Sequence, residues 1–287
     1  MNHVKNGIVA IVVTYNPKIH RLASNLKSLN NQVALIVVVD NGSTNIKKIR
    51  RFRSKRTKVV ELGMNFGIAK ALNVGIDIAL RFKPRWLLTM DQDTILYVGA
   101  IKQILRSAST LPRQVKSKIA ILALSYYKPR ILDKIYILGE IAGFYRARFV
   151  ITSGNLINTR AIRDTGMRFR EDLFMDQVDF EFCLRLNKIG YNILQYKKIL
   201  MKHEIGTRVN GIKEYENRTR MYYIIRNSLY LVIHQGFPLS LYFFQIFGYY
   251  KKAIRVNGIR DVPFLITLYF AASLDALNGR MGKCTRC

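Results

Sequence analysis

The feature that most constrains the fold is an alternation of short apolar runs and longer amphipathic segments over the first 124 residues. The apolar runs are rich in Val, Ile and Leu, which is typical of strands buried on both faces of a sheet. These predicted strands are residues 8–13, 35–39, 59–62, 86–90 and 119–124. The amphipathic segments between them predict helices at residues 19–29, 46–52, 68–82 and 100–107. Because strand, helix and strand follow one another in this order, the sequence predicts an α/β domain whose mostly parallel sheet is flanked by helices.

The pattern changes after residue 124. Residues 125–149 are basic and aromatic without a clear period, which predicts a long loop that serves as a lid or a binding loop. Further along, the sequence predicts a strand interrupted by a small-residue turn at 151–157, a helix at 178–189, and strands at 192–196 and 199–203. Three apolar, aromatic helices are predicted at 222–234, 239–254 and 262–277. We therefore predict a domain over residues 1–213 and a helical, amphipathic appendage over residues 214–287.

The charge of the chain requires an anionic partner. The sequence has 47 Lys plus Arg against 18 Asp plus Glu, a net charge of +29. Nucleic acid, an anionic membrane face and a phosphorylated substrate are the three classes of partner that this charge allows. The chain has no nucleic-acid-binding motif, and its C-terminal basic residues alternate with apolar helices, so we expect no nucleic-acid partner. We expect the C-terminal helices to rest on an anionic membrane surface.

Neither a signal peptide nor a spanning helix is predicted from the sequence. The apolar run at residues 8–13 is too short for a signal peptide and leads into a turn. A membrane-spanning helix needs about 20 apolar residues, and the best run, residues 237–250, is shorter. Any association with the membrane is therefore expected to be peripheral.

Seven of the 18 acidic residues fall into two clusters. The first is Asp91-Gln92-Asp93, which follows the apolar run at 86–90. Hard divalent cations take oxygen ligands and bridge phosphate oxygens, so this pair predicts a site for Mg²⁺ or Mn²⁺ on a nucleotide-linked phosphate. The two carboxylates stand at the predicted end of a strand, where a turn of the chain lets both approach one site. The alternative is an acidic pair that begins a helix.

The second acidic cluster could supply a general base. It consists of Glu171, Asp172, Asp176, Asp179 and Glu181. Asp176 and Asp179 can share one edge of the predicted helix because they are three residues apart. Only one base is needed, and the other carboxylates could support it or complement the helix dipole. His203 follows a predicted strand and could complete the metal site as a neutral imidazole, although a lone histidine is more often structural.

Polar turns follow two of the predicted strands. Asp40 ends the second strand, and ligands of open parallel sheets bind beyond the carboxyl ends of strands. The alternative for Asp40 is an Asn-Gly turn in which Ser43 caps the next helix. Thr14, Tyr15 and Asn16 after the first strand could likewise form part of a ligand site or an ordinary structural turn. Asn65 and Gly67 open a helix whose amide groups favour an anion, or else form an ordinary cap.

Four segments, in order, resemble a known family. They are Ile11-Val-Val-Thr-Tyr-Asn-Pro17, Val38-Val-Asp-Asn-Gly-Ser43, Asn65-Phe-Gly-Ile-Ala-Lys-Ala-Leu-Asn73 and Leu87-Leu-Thr-Met-Asp-Gln-Asp-Thr94. They are similar to the family 2 inverting glycosyltransferases of the GT-A fold, over roughly residues 7–210. Two motifs, Met90-Asp-Gln-Asp-Thr94 and Phe174-Met-Asp-Gln-Val-Asp-Phe-Glu181, most resemble bacterial rhamnosyltransferases.

The resemblance implies roles for individual residues. Asp40 would bind the base of a nucleotide-sugar donor, Asp91 would lie near its ribose or sugar, and Asp93 would bind the metal on its pyrophosphate. His203 would contact the metal or the pyrophosphate. Asp179 would be the general base, with Asp176 as a rival because the motif departs from the commoner Glu-Asp pair. The full set of donor-side candidates is Thr14, Tyr15, Asn16, Asp40, Asn65, Gly67, Asp91 and Gln92. On the acceptor side the candidates are Ser153 and Gly154.

The function implied by the resemblance is transfer of L-rhamnose from dTDP-L-rhamnose to a hydroxyl of a lipid-linked saccharide, with inversion, in surface polysaccharide synthesis. The enzyme would act at the cytoplasmic face of the inner membrane. Two alternatives stay open: a sugar-phosphate nucleotidyltransferase, and a non-enzymatic protein that binds anionic membranes or nucleic acid. The first usually needs a Gly-rich, basic loop after the first strand, where this chain has Thr14-Tyr15-Asn16-Pro17.

Overall fold

The structure, a computed structural model, describes residues 7–126, 136–203, 208–209, 212–213 and 218–284. Its strands are β1 Ile8–Thr14, β2 Leu35–Asp40, β3 Thr57–Glu61, β4 Trp86–Asp91, β5 Thr94–Leu96, β6 Ile119–Ser125, β7 Ile137–Ile141, β8 Phe144–Ala147, β9 Asn155–Asn158, β10 Asn192–Ile199, β11 Met201–His203, β12 Arg208–Val209 and β13 Ile212–Lys213. Its α-helices are α1 Ile19–Leu29, α2 Ile46–Ile49, α3 Ile68–Leu80, α4 Ala100–Ser109, α5 Arg113–Ser117, α6 Thr159–Thr165, α7 Val178–Lys188, α8 Arg218–Gln235, α9 Leu239–Asn257 and α10 Val262–Leu277.

Nine of these strands form one central sheet in the order β3-β2-β1-β4-β9-β6-β10-β8-β7. β1 pairs in parallel with β2 and β4, β2 with β3, and β6 with β10. β8 and β9 run against their neighbours. The predicted α/β fold with a mostly parallel sheet, flanking helices and C-terminal helices is confirmed.

The predicted loop over residues 125–149 is wrong for the part that the structure describes. β7 and β8 form an antiparallel hairpin at the sheet edge, with Ile141 opposite Phe144. Glycines and a mixed exposure pattern hide the period-2 signal, since β7 buries neither of its faces fully. Residues 127–135 lie outside the described residues. The predicted strand at 151–157 begins only at Asn155, because residues 151–154 form the turn before it.

The sheet is buried on both faces, as its apolar strands predict. In β1, Val9 and Ile11 face the side covered by α3, while Ala10 and Val12 face the side covered by α1 and α4. Alternate residues of a strand point to opposite faces, so a strand without polar positions needs a helical layer on each side. The two clusters of buried side chains are these two layers.

The C-terminal helices share the core of the α3 side. Met221, Tyr223 and Ile224 of α8 are buried in the same cluster as residues of α3 and α7. α8 packs extensively on α10, and the hydroxyl of Tyr222 donates a hydrogen bond of 2.6 Å to Asp275. The division of the chain at residue 213 stays a prediction.

A short segment directly before α7, which we call the acid loop (residues 173–177), has an unusual backbone. Phe174, Asp176 and Gln177 have φ of 65°, 55° and 59°, a region that costs free energy for residues other than glycine. Asn227 of α8 holds this backbone, because its buried side-chain amide donates to the carbonyl oxygens of residues 173, 175 and 176 at 2.7–3.0 Å. On the other side, the amide of Ile68 donates to the Phe174 carbonyl at 2.9 Å.

Gly67 is the point where the acid loop touches the start of α3. Its φ is +89°, and a Cβ there would lie 2.4 Å from the Phe174 carbonyl oxygen. We predict that Gly67→Ala lowers the free energy of unfolding by at least ~3 kcal/mol, since backbone strain and a collision with backbone add together. The matched control is Gly63→Ala, where φ is +82° but nothing lies within 4 Å. This control should cost only about 1–2 kcal/mol. Equal losses for the two variants in urea denaturation would contradict the tight contact at Gly67.

Candidate active site

Three parallel strands end at one edge of the sheet and deliver polar residues to one cavity. In the register of the sheet, Thr14 lies opposite Asp40 and Val13 opposite Asp91. The cavity at this edge has a volume of about 400 Å³, within the range of small-molecule sites. Its described lining residues are Val13, Tyr15, Asn41, Asn65, Gly67, Ile68, Asp91, Gln92, Asp93, Phe174, Met175, His203 and Arg220.

Asp91, Asp93 and His203 form a cluster that could hold a metal ion. One ligand atom from each side chain lies within 4.8 Å of the others. The Nε2 atom of His203 is 3.8 Å from Asp91 Oδ2, and its Nδ1 atom is 3.8 Å from Asp93 Oδ1. Asp91 ends β4 and Asp93 sits in the turn that follows, so both carboxylates reach one site as expected. β11 brings His203 there by pairing with β5, where His203 lies opposite Thr94.

A buried pair of hydroxyl groups orients the histidine. His203 Nδ1 is 2.5 Å from Thr94 Oγ1, which is 2.7 Å from Ser153 Oγ. Ser153 Oγ also accepts a hydrogen bond of 3.0 Å from the Asp91 amide. Such outer hydrogen bonds fix the ring of a ligating histidine. The cluster therefore has the chemistry of a site for Mn²⁺ or Mg²⁺, with two carboxylates and an oriented imidazole.

Ser153 and Gly154 were expected on the acceptor side, and that role stays a prediction. Both are buried. Gly154 packs against Met201, where a Cβ would lie 2.5 Å from the sulfur atom. In the structure these two residues support the ends of β4 and β11.

Burial shifts the pKa of two side chains at the metal cluster. It raises the pKa of Asp91 to about 7, the negative charge of Asp93 adds to this rise, and the positive charge of Arg220 opposes it. Burial also lowers the pKa of His203, against the pull of Asp93. Because lower pKa means that the imidazole stays neutral at neutral pH, His203 is available as a metal ligand.

The turns after β1 and β2 brace one another. Asp40 is buried; its carboxylate accepts hydrogen bonds from the Thr14 hydroxyl at 3.1 Å and from the Ser43 amide at 2.9 Å. The Asn16 carboxamide oxygen accepts from the Thr44 amide at 2.8 Å. Asp40 and Thr14 thus hold the shape of the sheet edge, and neither is among the described residues that line the cavity.

Other donor-side candidates do line the cavity. Gln92 pairs with the backbone of Tyr15, accepting from its amide at 2.8 Å and donating to its carbonyl at 3.2 Å. The Asn65 carboxamide oxygen accepts from Gly67 N and from the side chain of Asn41, both at 2.9 Å. These contacts leave the half-exposed ring of Tyr15 over the opening.

The two rivals for the base differ in their partners. Asp176 accepts from Nε of Arg220 at 2.9 and 3.2 Å. Asp179 accepts from the amides of Thr152 and Phe180 at 3.1 and 3.0 Å. Burial raises the pKa of Asp179 to about 6, although those amide contacts oppose the rise. Burial raises the pKa of Asp176 as well, and Arg220 opposes it.

Arg220 and Asn227 are the functional candidates that the sequence did not reveal. Arg220 is one of 47 Lys plus Arg, and no local motif distinguishes it. Asn227 did carry a signal, because Arg226-Asn227-Ser228 is a polar triplet inside the apolar stretch of α8, and all three side chains are buried. Buried polar groups need partners, so this triplet could have been predicted to contact another segment.

Comparison with known proteins identifies relatives of the chain. Residues 9–163, more than half of the chain, match the family described as Glycosyl transferase family 2. The chain is 27% identical to a Shigella flexneri protein named dTDP-rhamnosyl transferase RfbF, over 97% of this chain and 98% of that protein.

Solved structures share the fold of this chain. TarS of S. aureus, residues 1–349 in complex with UDP-GlcNAc, has a TM-score of 0.58 and 16% identity over 95% of this chain and 82% of that chain. GalNAc-T7 with UDP, GalNAc and Mn²⁺ has a TM-score of 0.55 and 14% identity over 76% of this chain and 47% of that one. These likenesses confirm the GT-A fold.

Proposed function

The chain belongs to glycosyl transferase family 2, and from this premise we propose that it transfers L-rhamnose from dTDP-L-rhamnose to a hydroxyl of a lipid-linked saccharide. The observation that carries the proposal is the Asp91, Asp93 and His203 cluster in the cavity at the carboxyl ends of parallel strands. Ligands of open α/β sheets bind at this edge, and a diphosphate with its cation fits a cluster of carboxylates and imidazole. Neither alternative, a nucleotidyltransferase or a binding protein without activity, is favoured by the family.

The donor and the acceptor are proposed on separate grounds. The donor rests on the near full-length likeness to the dTDP-rhamnosyl transferase. A lipid-linked acceptor in surface polysaccharide synthesis rests on the expected location of the enzyme at the membrane.

The catalytic step that we propose is a single in-line displacement. Asp91, Asp93 and His203 would hold Mn²⁺ or Mg²⁺, which would neutralise charge on the leaving diphosphate. Asp179 takes the proton from the acceptor hydroxyl as that oxygen attacks the anomeric carbon of the sugar. One displacement from the face opposite the diphosphate inverts the anomeric centre. A raised pKa suits Asp179 to this task, because a base is most effective when its pKa lies near the working pH.

The surface of α9 and α10 supports peripheral contact with an anionic membrane. Phe243, Phe247 and Phe270 are 57%, 72% and 60% exposed. Residues 236–287 have seven Lys or Arg and two acids, Asp261 and Asp275, and both acids are buried. Exposed apolar side chains beside positive charge are typical of a face that rests in the lipid headgroup region. Among the described residues, no helix has the length and apolar character needed to cross a membrane.

The metal cluster yields the first test. We predict that Asp93→Ala loses transfer that depends on Mn²⁺ and also loses Mn²⁺ binding, measured by electron paramagnetic resonance. Asp164→Ala, which removes an exposed carboxylate on α6, is the matched control and should behave like the unmodified protein. Full activity of Asp93→Ala with added Mn²⁺ would overturn the metal assignment.

The choice of base yields the second test. Asp179→Asn should keep nucleotide binding and lose transfer by ~10²-fold or more. Asp176→Asn should lose less, because Asp176 already serves as the ion-pair partner of Arg220. Single-turnover transfer compares the two variants. The roles are reversed if only the Asp176 variant fails.

The pH dependence follows from the same carboxylate. The base must be ionised, so kcat/KM should fall about tenfold per pH unit below the pKa of about 6. The ionised Asp179 that activity requires has the opposite effect on the stability of the fold. Because its pKa is raised in the folded state, ionisation lowers the free energy of unfolding, and this penalty is fully present above pH 6. Asp179→Asn should therefore gain stability relative to the unmodified protein above pH 6, and the gain should shrink as the pH falls toward 4. A gain that grows on acidification would contradict the assignment.

The membrane contact is testable without disturbing the core. Deleting α9 and α10 would expose the buried face of α8, so point substitutions are the better design. We predict that Phe243→Ser, Phe247→Ser and Phe270→Ser together reduce flotation with vesicles of anionic phospholipid, because they remove exposed apolar area. The control is Val98→Ser with Leu138→Ser, at two exposed apolar positions of the sheet domain. Equal flotation of the triple variant and the control would refute the membrane contact.

A further inference from the structure

Arg220 is the one Lys or Arg among the described residues that line the cavity. This is notable in a chain with 47 such residues. The cavity contains Asp91 and Asp93, and the Asp176 carboxylate is held against Arg220 by the ion pair. A nucleoside diphosphate that enters adds further negative charge. Carboxylates in the cavity repel a diphosphate, so a positively charged side chain there would offset this repulsion.

The position of Arg220 is fixed by its ion pair with Asp176. Its Nε donates to Oδ1 at 2.9 Å and to Oδ2 at 3.2 Å. The Asp176 side chain is only 12% exposed, while that of Arg220 is 45% exposed. The backbone of Asp176 is in turn held by Asn227, whose side-chain amide lies 3.0 Å from its carbonyl oxygen. Arg220 is therefore held at the cavity by an acid whose own backbone is bound to α8.

The chemistry of guanidinium fits a diphosphate. Its planar fork carries five N–H donors, and two of them can bind neighbouring phosphate oxygens. Lysine offers the charge but not this geometry. The ion pair with Asp176 engages the Nε side of the fork, and the half-exposed group faces the same cavity as the metal cluster.

We propose that Arg220 binds the diphosphate of the donor from the C-terminal helix, on the side of the cavity formed by the acid loop, and that Asp176 is its anchor. This inference rests on the proposed function. It gives α8, which lies outside the residues that match the family, a direct contact with the substrate. It also gives Asp176 a role that differs from that of the base.

The experiment compares nucleotides that differ by one phosphate. Binding of dTDP and of dTMP is measured by calorimetry with Mn²⁺ in excess, and repeated with UDP and UMP. The lost charge-assisted contact should weaken diphosphate binding of Arg220→Ala about 10- to 100-fold. Monophosphate binding should change much less, so the ratio of diphosphate to monophosphate affinity should fall. This ratio in Arg220→Lys should lie between those of the unmodified protein and Arg220→Ala.

Matched variants separate this role from a structural one. Arg163→Ala removes the same charge from an exposed position on α6 and should leave both affinities unchanged. If Arg220→Ala does not fold by circular dichroism, Arg220→Met keeps the aliphatic stem and carries the test.

Each outcome has a defined meaning. An unchanged ratio of diphosphate to monophosphate affinity in a folded Arg220 variant overturns the inference and leaves the proposed function standing. An equal loss for both nucleotides also overturns it, because the arginine then acts on the fold or on the nucleoside. If the unmodified protein binds neither dTDP nor UDP, the proposed function itself fails.

Discussion

The parallel pairing of β1 with β2 and β4 is the constraint on which the site depends. Because these strands run the same way, their carboxyl ends meet at one edge, and residues separated by up to 77 positions in the chain become neighbours. Gln92 can then form hydrogen bonds with the backbone of Tyr15, and Asp40 can accept a hydrogen bond from the Thr14 hydroxyl. An antiparallel arrangement would place alternate strand ends at opposite edges and would scatter the same residues. The grouping of these polar residues at one edge is therefore a consequence of the parallel direction of the strands.

The site gathers negative charge in a strongly positive protein. Asp91 and Asp93 come from the end of β4 and the turn after it, and Asp176 and Asp179 from the acid loop and the first turn of α7. Burial raises the pKa of Asp91, Asp176 and Asp179. Desolvated carboxylates cost folding free energy, and perturbed groups of this kind concentrate at functional sites. In the proposed function these carboxylates would bind a cation with a diphosphate and accept a proton, and these tasks explain why their desolvation is tolerated.

The sequence predicted those elements and site residues whose signal lies within a few neighbouring residues of the chain. Apolar runs such as that of β1, and the amphipathic period of α1, are local, so these elements and their edges were predicted closely. The turn from Asp91 to Asp93 was also local, and both carboxylates do meet at His203. The hairpin of β7 and β8 was missed because β7 is half exposed and contains Gly139. The burial of Ser153 and Gly154 was also not predictable, because the packing of Gly154 against Met201 is a tertiary contact that a small-residue turn does not disclose.

The C-terminal helices show why a segment without motifs can still belong to a site. Asn227 supplies hydrogen bonds to the carbonyl oxygens of residues 173, 175 and 176, in a segment whose backbone departs from helix and strand geometry at three positions. The strain at Phe174, Asp176 and Gln177 persists because α8 on one side and the start of α3 on the other leave the loop no alternative position. α8 also packs on α9 and α10. The helix that holds the acid loop is therefore also the helix that supports the pair whose exposed face we propose to rest on lipid.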